Sequence, residues 1–251
     1  MIFACGWATK RGDIAPFHDV FRWAGGREKI ERLEIVTIDG PAGAGKSTVS
    51  KMLARRLNYM YLDTGAMYRA VALRALAEGI DPKDEPALER LCAKLEISFR
   101  ETGEGQRLIC QGEDVTERIR EAEIGWMASV VSTMRPVREA LGALQRKMGS
   151  RGGVVAEGRD MGTVVFPGAR FKFFLVANPR ERSLRRYREL KAKGREIKLE
   201  EVEREVRERD AQDACRELAP LKPAKDAHLI DSTGMTPEEV VAQMLAIIQK
   251  N

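Results

Sequence analysis

The sequence predicts an α/β protein built on a parallel β-sheet, and three observations lead to this prediction. Short apolar runs typical of strands alternate with helical patterns from Leu33 onward, which is the order that produces a parallel sheet. The runs GVVAE (153–157) and FKFFLVA (171–177) are apolar without alternation, as expected of strands buried on both faces. A glycine-rich turn joins the first strand to the first helix.

Several elements also carry a local signal for their ends. Asp63 or Thr64 can cap the helix that follows the second strand, Pro136 occupies the first turn of a later helix, and Thr236 with Glu239 forms a capping box at the last helix. The predicted strands are 33–38, 59–62, 153–157, 171–177 and 227–231, and the predicted helices are 46–57, 63–79, 85–95, 121–133, 136–148, 179–193, 199–218 and 236–248.

Two stretches fall outside this alternation. Residues 95–119 alternate in polarity and contain glycine turns at Gly103, Gly105 and Gly112, so they predict a small antiparallel sheet inserted in the fold. Residues 1–32 show no clean periodicity. We expect a poorly ordered extension there, or upstream sequence included by the assignment of the start codon, with a docked helix as the alternative.

Composition limits the class of protein. Hydrophobic residues make up 43% and charged residues 32% of the 251-residue chain, as in ordinary globular proteins of one or two domains. The sequence has no apolar run near the ~20 residues of a membrane span, and we expect a cytoplasmic protein. The cysteines and histidines lack the spacing of a metal site or a disulfide framework, so the cysteines are predicted to be small buried hydrophobes. They are Cys5, Cys92, Cys110 and Cys215, and the histidines are His18 and His228.

The net charge of +5 indicates an acidic partner. Nucleic acid is one class of such partners, and phosphorylated small molecules are another, because arginine suits phosphate geometry. The basic residues do not form one long block, and aromatic residues are only 6% of the chain. Both observations disfavour nucleic acid.

One motif has a specific chemistry. GPAGAGKS (40–47) fits the pattern GxxxxGK[ST] and lies between a predicted strand and a predicted helix, as a phosphate-binding loop does. Its glycines let backbone N–H groups surround phosphate oxygens, Lys46 reaches the β- and γ-phosphates, and the Ser47 hydroxyl can ligate Mg²⁺. A chance glycine-rich turn is the alternative. The motif predicts that a nucleoside triphosphate binds to Gly40, Pro41, Ala42, Gly43, Ala44, Gly45, Lys46, Ser47 and Thr48.

Two further groups of polar residues follow predicted strands, at the sheet edge where ligands bind in such folds. Arg69, in the first turns of the helix after 59–62, could hold an acceptor phosphate; a surface arginine on a capped helix is the alternative. Glu157, Arg159 and Asp160 end the strand 153–157. There an acid can hold the water shell of Mg²⁺ and an arginine can neutralise the transferred phosphoryl group, unless the stretch is only a polar turn.

Charged side chains on the late helices form the last candidate group. Arg209, Asp213 and Arg216 have the spacing i, i+4, i+7, which places them on one helical face. That face could line a cleft, or it could be a solvated ion pair. Arginines on the preceding helix suit a mobile lid over phosphates, although a solvated helix face is equally common. These are Arg182, Arg185, Arg186 and Arg188.

These pieces, in this order, resemble the bacterial cytidylate kinases of the nucleoside monophosphate kinase group. The resemblance extends from about Glu34 to Lys250. The segments that carry it are IDGPAGAGKST, LDTGAMYRA, CQGEDVTERIR, RPVREAL, EGRDMGTVVFPGA, RERDAQDACRELAPL and LIDST.

The resemblance implies a P-loop kinase fold and its activity. The fold would be a central parallel five-stranded sheet flanked by helices, with an inserted monophosphate-binding subdomain that has a small antiparallel sheet, and a short lid. The reaction would transfer the ATP γ-phosphoryl group to CMP or dCMP with Mg²⁺, in pyrimidine nucleotide metabolism. The partners would be these small molecules, without nucleic acid or a membrane, and the enzyme would be a monomer.

The resemblance also implies that residues 33–250 form a single kinase domain, which is divided into three regions. The core would comprise 33–62, 149–180 and 217–250. The monophosphate-binding region would be about 63–148, with the insert at about 95–119, and the lid would be about 181–208.

The resemblance implies roles for individual residues. Arg69 and Arg159 would hold the acceptor phosphate, and Arg209 and Asp213 would contact the ribose. Glu157, where the family is expected to have an aspartate, would orient a metal-bound water beside Ser47. The residues that would read the cytosine or its surroundings are Thr64, Ser129, Arg138, Asp160 and Arg216. The catalytic residues would be Lys46, Arg159, Arg185 and Arg186.

Two other functions fit parts of this sequence. One is a kinase for a different small acceptor, which turnover with a panel of acceptors would reveal. The other is a basic module in which ATP controls contact with nucleic acid. The sequence contains neither a recognition helix nor an aromatic stacking platform for that second function.

Overall fold

The structure is a computed structural model that describes residues 33–103, 105–192 and 194–250. The extension predicted at residues 1–32 lies outside the described residues. The strands are β1 (Ile35–Asp39), β2 (Met60–Asp63), β3 (Ile97–Thr102), β4 (Gly105–Cys110), β5 (Glu113–Asp114), β6 (Val154–Gly158), β7 (Phe171–Val176) and β8 (His228–Asp231). The α-helices are α1 (Lys46–Leu57), α2 (Thr64–Ala77), α3 (Glu85–Ala93), α4 (Ala122–Val131), α5 (Arg135–Met148), α6 (Pro179–Ala192), α7 (Leu199–Cys215) and α8 (Pro237–Lys250).

Five strands form one parallel sheet in the order β2-β6-β1-β7-β8. The predicted parallel sheet is thereby confirmed. The register places the carboxyl ends of three neighbouring strands side by side, because Asp39 pairs with Gly158 and Asp63 pairs with Glu157. Loops that leave this edge can therefore contribute side chains to one ligand site.

Two apolar layers cover the two faces of the sheet. Alternate residues of β6 serve different layers: Val154 and Ala156 join the core under α2 to α5, whereas Val155 joins the core under α1 and α8. Every residue of β6 is buried, which explains its continuous apolar run. A third small cluster, Leu190 with Val202 and Val206, joins α6 to α7.

The predicted insert forms the small antiparallel sheet β3-β4-β5. The hairpin between β3 and β4 pairs Thr102 with Gly105, and Gly112 has φ 82° in the turn before β5, a conformation that favours glycine. The end of the predicted antiparallel segment, residues 95–119, differs from the prediction, because Arg118–Arg120 forms a short 3₁₀ helix. Gln106 joins the insert to the main sheet by donating to the Tyr61 carbonyl at 2.8 Å.

The end of helix α7 and the burial of the cysteines differ from the predictions. Helix α7 ends at Cys215 and not at residue 218, because Arg216 adopts an extended conformation (φ −63°, ψ 138°) and Leu221 N donates to the Asp213 carbonyl at 2.8 Å. Arg216 therefore follows the helix. The prediction of buried cysteines holds for Cys110, which is buried, but not for Cys92, which is only partly buried, or for Cys215, which is exposed at the end of α7. Cys5 lies outside the described residues.

The described part of the chain contains no helix that is both long and apolar enough to span a membrane.

Candidate active site

A cleft of about 1410 Å³ opens at the carboxyl edge of the sheet. Two of the predicted site residues, Gly40 and Pro41, do not line it. The cleft brings together all the others, which are Ala42, Gly43, Ala44, Gly45, Lys46, Ser47, Thr48, Thr64, Arg69, Ser129, Arg138, Glu157, Arg159, Asp160, Arg185, Arg186, Arg209, Asp213 and Arg216.

The glycine-rich loop between β1 and α1 adopts a backbone that requires glycine. Gly40, Gly43 and Gly45 have φ values of 147°, 75° and 92°. A Cβ on Gly40 would lie 2.1 Å from the Leu175 carbonyl oxygen, so a side chain there would collide with β7. The loop thus exposes backbone N–H groups at the start of α1, a geometry that suits phosphate oxygens.

Lys46 turns back over this loop. Its Nζ donates to the Pro41 carbonyl at 2.7 Å, and the residue is buried. Burial, followed by the charge of Arg159, lowers the pKa of Lys46 well below its usual value. A phosphate bound at the loop would place negative charge next to this ammonium group and so favour its charged form.

A buried carboxyl lies beside the loop. Glu157 Oε1 accepts from Ser47 Oγ at 2.8 Å and from Tyr61 OH at 2.7 Å. Burial and the nearby charge of Asp63 raise the pKa of Glu157 to about 7. Its Oε2 is buried and has no hydrogen-bond partner among the described residues. Sequence reasoning missed Tyr61, because a tyrosine within an apolar strand run is indistinguishable there from a core residue.

These oxygen atoms fit Mg²⁺. The ion prefers oxygen ligands, and it usually binds one or two protein groups together with substrate phosphates and waters. Ser47 Oγ and the unpartnered Glu157 Oε2 provide such groups beside the phosphate loop. No group of three or more His, Cys, Asp or Glu side chains suited to a metal occurs among residues 33–103, 105–192 and 194–250.

A second buried carboxyl, Asp160, lies on the other side of the cleft between two guanidinium groups. Arg138 donates to Asp160 Oδ2 through Nη2 and to the Ser132 carbonyl through Nη1 at 3.0 Å. Arg216 Nη2 lies 3.8 Å from Asp160 Oδ1 and has no hydrogen-bond partner among the described residues. This cluster presents both acceptor and donor atoms to a ligand.

A second ion pair joins the β6 loop to α7. Arg159 Nε donates to Asp213 Oδ2 at 2.7 Å, and Arg216 Nη1 lies 3.8 Å from Asp213 Oδ1. Burial would raise the pKa of Asp213, but Arg159 and the other arginines outweigh it and hold the pKa below its usual value. Arg209 lies in the same region. Burial and the charge of Arg159 lower its pKa to about 10, and its Nε has no partner in the described part of the chain.

Three other predicted residues that line the cleft are held by protein partners. Arg69 Nη1 donates to the Ile119 carbonyl at 3.1 Å, and burial lowers its pKa. Ser129 Oγ donates to Gln212 Oε1 at 2.7 Å, which links α4 to α7 across the cleft. Thr64 Oγ1 donates to the backbone carbonyl of Glu157 at 2.6 Å and so joins the ends of β2 and β6.

Asp39, which sequence reasoning also missed, holds the β6 loop in place. Its two carboxylate oxygens accept from Met161 N and Gly162 N, each at 2.8 Å. Burial raises the pKa of Asp39 to about 6. These bonds cap the start of a short π-helix, Met161–Val165, a feature frequent at functional sites. The signal available in the sequence was the position of an acid at a strand end, next to the phosphate loop.

The arginines of α6 divide into two groups. Arg185, Arg186 and Arg188 line the cleft, where they add positive charge. Arg182 does not line the cleft, so the prediction that it belongs to a lid facing the phosphates is wrong. Its guanidinium is buried, and it donates to Asp210 and to backbone carbonyls, which compensate the buried charge.

The fold and this site define a P-loop kinase. A glycine-rich phosphate loop follows the central strand of a parallel sheet, and a cleft rich in arginine faces the loop across the same edge. A solved structure of an uncharacterized protein from Eubacterium ventriosum has the same overall fold, with a TM-score of 0.50 and 11% sequence identity, covering 87% of this chain and 99% of that one.

Similarity in sequence gives the family. The cytidylate kinase family model matches residues 36–250. The cytidylate kinase of Citrifermentans bemidjiense is 53% identical over 216 residues, which cover 86% of this chain and 93% of that protein. The cytidylate kinase of Geobacter sp. strain M21 is 55% identical over 210 residues, 84% of this chain and 90% of that protein. The chain belongs to the cytidylate kinase family and is a phosphotransferase enzyme, which confirms the resemblance found in the sequence.

Proposed function

We propose that this enzyme transfers the γ-phosphoryl group of ATP to CMP or dCMP and releases ADP with CDP or dCDP. One observation carries the proposal beyond the family assignment. The cleft joins the phosphate loop to a buried carboxyl, Asp160, that is flanked by Arg138 and Arg216. Such a group suits the edge of cytosine, because Asp160 can accept from the exocyclic amine while arginine donates to N3 and O2.

The same group discriminates against uracil. Uracil has an oxygen where cytosine has its amine, so the Asp160 carboxylate would face another acceptor. A contact that repels the wrong base adds specificity that attractive contacts alone do not provide. Ser129 and Thr64, which line the cleft, would complete the surroundings of the base.

The acceptor phosphate and ribose would bind between the base pocket and the loop. Arg69 and Arg159 provide guanidinium groups that match phosphate geometry. Arg209 and Asp213 of α7 would contact the ribose. Arg159 Nε is paired with Asp213 at 2.7 Å in this structure, so the phosphate would bind the remaining N–H groups of this guanidinium.

The donor would occupy the phosphate loop, residues 40–48. Lys46 would contact its β- and γ-phosphates, Ser47 would ligate Mg²⁺, and Glu157 would orient a metal-bound water. When bound, Mg²⁺ neutralises charge on the donor phosphates. The loop leaves space for these phosphates because its glycines bring no side chains into the cleft.

The chemical step needs alignment and charge compensation more than proton transfer. The attacking atom is already an anionic phosphate oxygen, so no side chain has to act as a strong base. Lys46, Arg159, Arg185 and Arg186 would stabilise the charge that spreads over the transferred phosphoryl group. The proposed catalytic residues all line the same cleft.

The division of the chain follows these roles. We propose the core as 33–62, 149–180 and 217–250, the monophosphate-binding region as about 63–148 with its insert at about 95–119, and the lid as about 181–208. We also propose a cytoplasmic monomer that acts on small molecules and binds no nucleic acid.

Initial rates of ADP release test the proposal. The full chain is mixed with ATP and Mg²⁺ and with CMP, dCMP, UMP, AMP or cytidine in parallel. We expect CMP or dCMP to give the highest kcat/KM and cytidine to give none, because the acceptor must be a phosphate. A higher kcat/KM for UMP or AMP would contradict the proposed acceptor. Phosphorylation of cytidine would contradict the proposed phosphate site.

A further inference from the structure

Arg182 connects three parts of the molecule through its guanidinium group. From helix α6 its Nε donates to the Ala177 carbonyl at 3.0 Å, and its Nη1 donates to the Ala42 carbonyl of the phosphate loop at 3.0 Å. The same guanidinium holds Asp210 of α7 with two bonds, at 3.1 and 2.7 Å. A two-bond pair of this kind fixes orientation as well as distance.

The backbone of Arg182 also packs against the phosphate loop. A Cβ on Gly43 would lie 2.9 Å from the Arg182 carbonyl oxygen and 3.0 Å from its Cβ. The loop and α6 are therefore in close contact at this point. A shift of the loop would have to move Arg182 or strain this contact.

Asp210 occupies a matching place on α7. It lies next to Arg209 in sequence and about one helical turn before Asp213. Arg209 and Asp213 line the cleft, whereas neither Arg182 nor Asp210 does. The pair thus lies behind the site and fixes a helix whose other side chains face the acceptor.

We propose that Arg182 and Asp210 are positioning residues that couple two halves of the cleft. The donor half is the phosphate loop, residues 40–48, and the acceptor half includes Arg209 and Asp213 of α7. Phosphates that fill the loop fix the Ala42 carbonyl, Arg182 transmits this position to Asp210, and α7 is then held where Arg209 and Asp213 meet the acceptor. Occupancy of the loop would lower the cost of ordering α7, so CMP would bind more tightly. This inference rests on the proposed function, which places the donor at the loop and the acceptor at α7.

The coupling can be measured as a ratio of dissociation constants. Calorimetric titration of CMP into the full chain, without ADP and with saturating ADP and Mg²⁺, gives the factor by which the donor-site ligand changes CMP affinity. ADP fills the loop but lacks the γ-phosphate, so direct contact between donor and acceptor phosphates does not contribute. We expect ADP to tighten CMP binding at least about fivefold, within the usual range of coupling between sites.

The variant Asp210→Asn keeps the shape of the side chain and removes its charge. We expect its coupling factor to fall to near one, whereas Glu200→Gln, an exposed control on the same helix, should keep the original factor. If the pair only stabilised the fold, Asp210→Asn would lower the melting temperature and leave the coupling factor unchanged. Retention of the full factor by a folded Asp210→Asn enzyme would overturn the inference.

A second variant covers the case in which Asp210→Asn does not fold. Removing one partner leaves the charge of the buried Arg182 uncompensated, which can strongly destabilise the fold. The double variant Arg182→Met with Asp210→Asn removes that charge and should also lose the coupling. If the original enzyme binds CMP with no response to ADP, the inference fails while the proposed function stands. If it binds no CMP at all, the proposed function fails as well.

Discussion

In the donor half of the cleft, the proposed phosphate site is one continuous run of residues, 40–48, which would bind phosphates through backbone groups and the side chains of Lys46 and Ser47. In the acceptor half, side chains converge from α2, α4, α5, the loop after β6 and the end of α7. The donor half depends on glycine conformations at Gly40, Gly43 and Gly45. The acceptor half depends on ion pairs between distant segments, such as Arg159 with Asp213.

This difference has a consequence for how each half binds. The donor half lies at the N-terminus of α1, where the first backbone N–H groups have no partner within the helix, so we expect phosphate to bind with little exchange of partners. In the acceptor half Arg138, Arg159 and Arg69 already contact Asp160, Asp213 and a backbone carbonyl, respectively. We expect an acceptor to bind among these contacts, where a ligand with matching donors and acceptors gains most. We therefore propose that affinity for phosphate is general in the donor half, whereas selectivity between acceptors belongs to the acceptor half.

The largest expected effect is on the donor half. Lys46→Met removes the ammonium group that we propose contacts the donor phosphates, and kcat should fall by about a thousandfold. Because this half serves every acceptor, the losses with CMP and dCMP should be equal in a coupled assay of ADP release. Lys83→Met, at an exposed position, should leave kcat unchanged. Unequal losses would show that Lys46 also distinguishes acceptors.

Arg159→Ala should lower kcat by about a hundredfold to a thousandfold, because it removes positive charge from the transferred phosphoryl group. The fold should remain stable, and the exposed Arg207→Ala on α7 provides the matched control. Near-normal turnover by Arg159→Ala would remove this residue from the mechanism.

Asp213→Ala should separate the two acceptors. If the Asp213 carboxylate accepts from the ribose 2′-hydroxyl, which dCMP lacks, its loss should reduce kcat/KM for CMP about tenfold more than for dCMP. Steady-state kinetics with both acceptors measures this difference. Equal losses would mean that Asp213 acts only by holding Arg159.

The smallest expected effect concerns Asp39 and appears in stability. Its pKa is raised from 3.8 to about 6 in the fold, so the native state binds more protons than the unfolded state between these values. The stabilisation from protonated Asp39 is fully present below pH 3.8 and is lost as the pH rises through 6.

The variant Asp39→Asn lacks this titration. The stability of the unmodified chain relative to Asp39→Asn should therefore fall by about 1–3 kcal/mol from pH 4 to pH 7. Denaturant unfolding at several pH values measures it, and parallel curves would contradict it.

The same contrast explains what could be predicted from the sequence. The donor half is formed by consecutive residues, so the spacing GxxxxGK[ST] and its place between a strand and a helix are sufficient to predict it. The burial of Arg182 could not be predicted, since its partners Ala42 and Asp210 are 140 and 28 residues away. In the sequence, Arg182 is equivalent to Arg185 and Arg186, and only the packing of α6 on the loop separates them.

The acceptor half was identified mainly through the family resemblance. Periodicity placed Arg209 and Asp213 on one helical face, but it also placed Arg216 on the helix that ends at Cys215. Tyr61 and Asp39 contact functional segments through side chains that fit equally well in a core strand or at a strand end. Such contacts depend on the pairing of β2, β6 and β1, which the sequence of a single strand does not specify.

The central claim is that the Asp160 carboxylate makes the acceptor half select cytosine, and the ratio of kcat/KM for CMP to that for UMP tests it most directly. Asp160→Asn keeps the shape of the side chain but can present an amide N–H to uracil where the carboxylate repels it. We expect the CMP-to-UMP ratio to fall by about tenfold to a hundredfold, as for loss of a hydrogen bond to a charged group. An unchanged ratio, in a variant that still folds and turns over CMP, would contradict the claim.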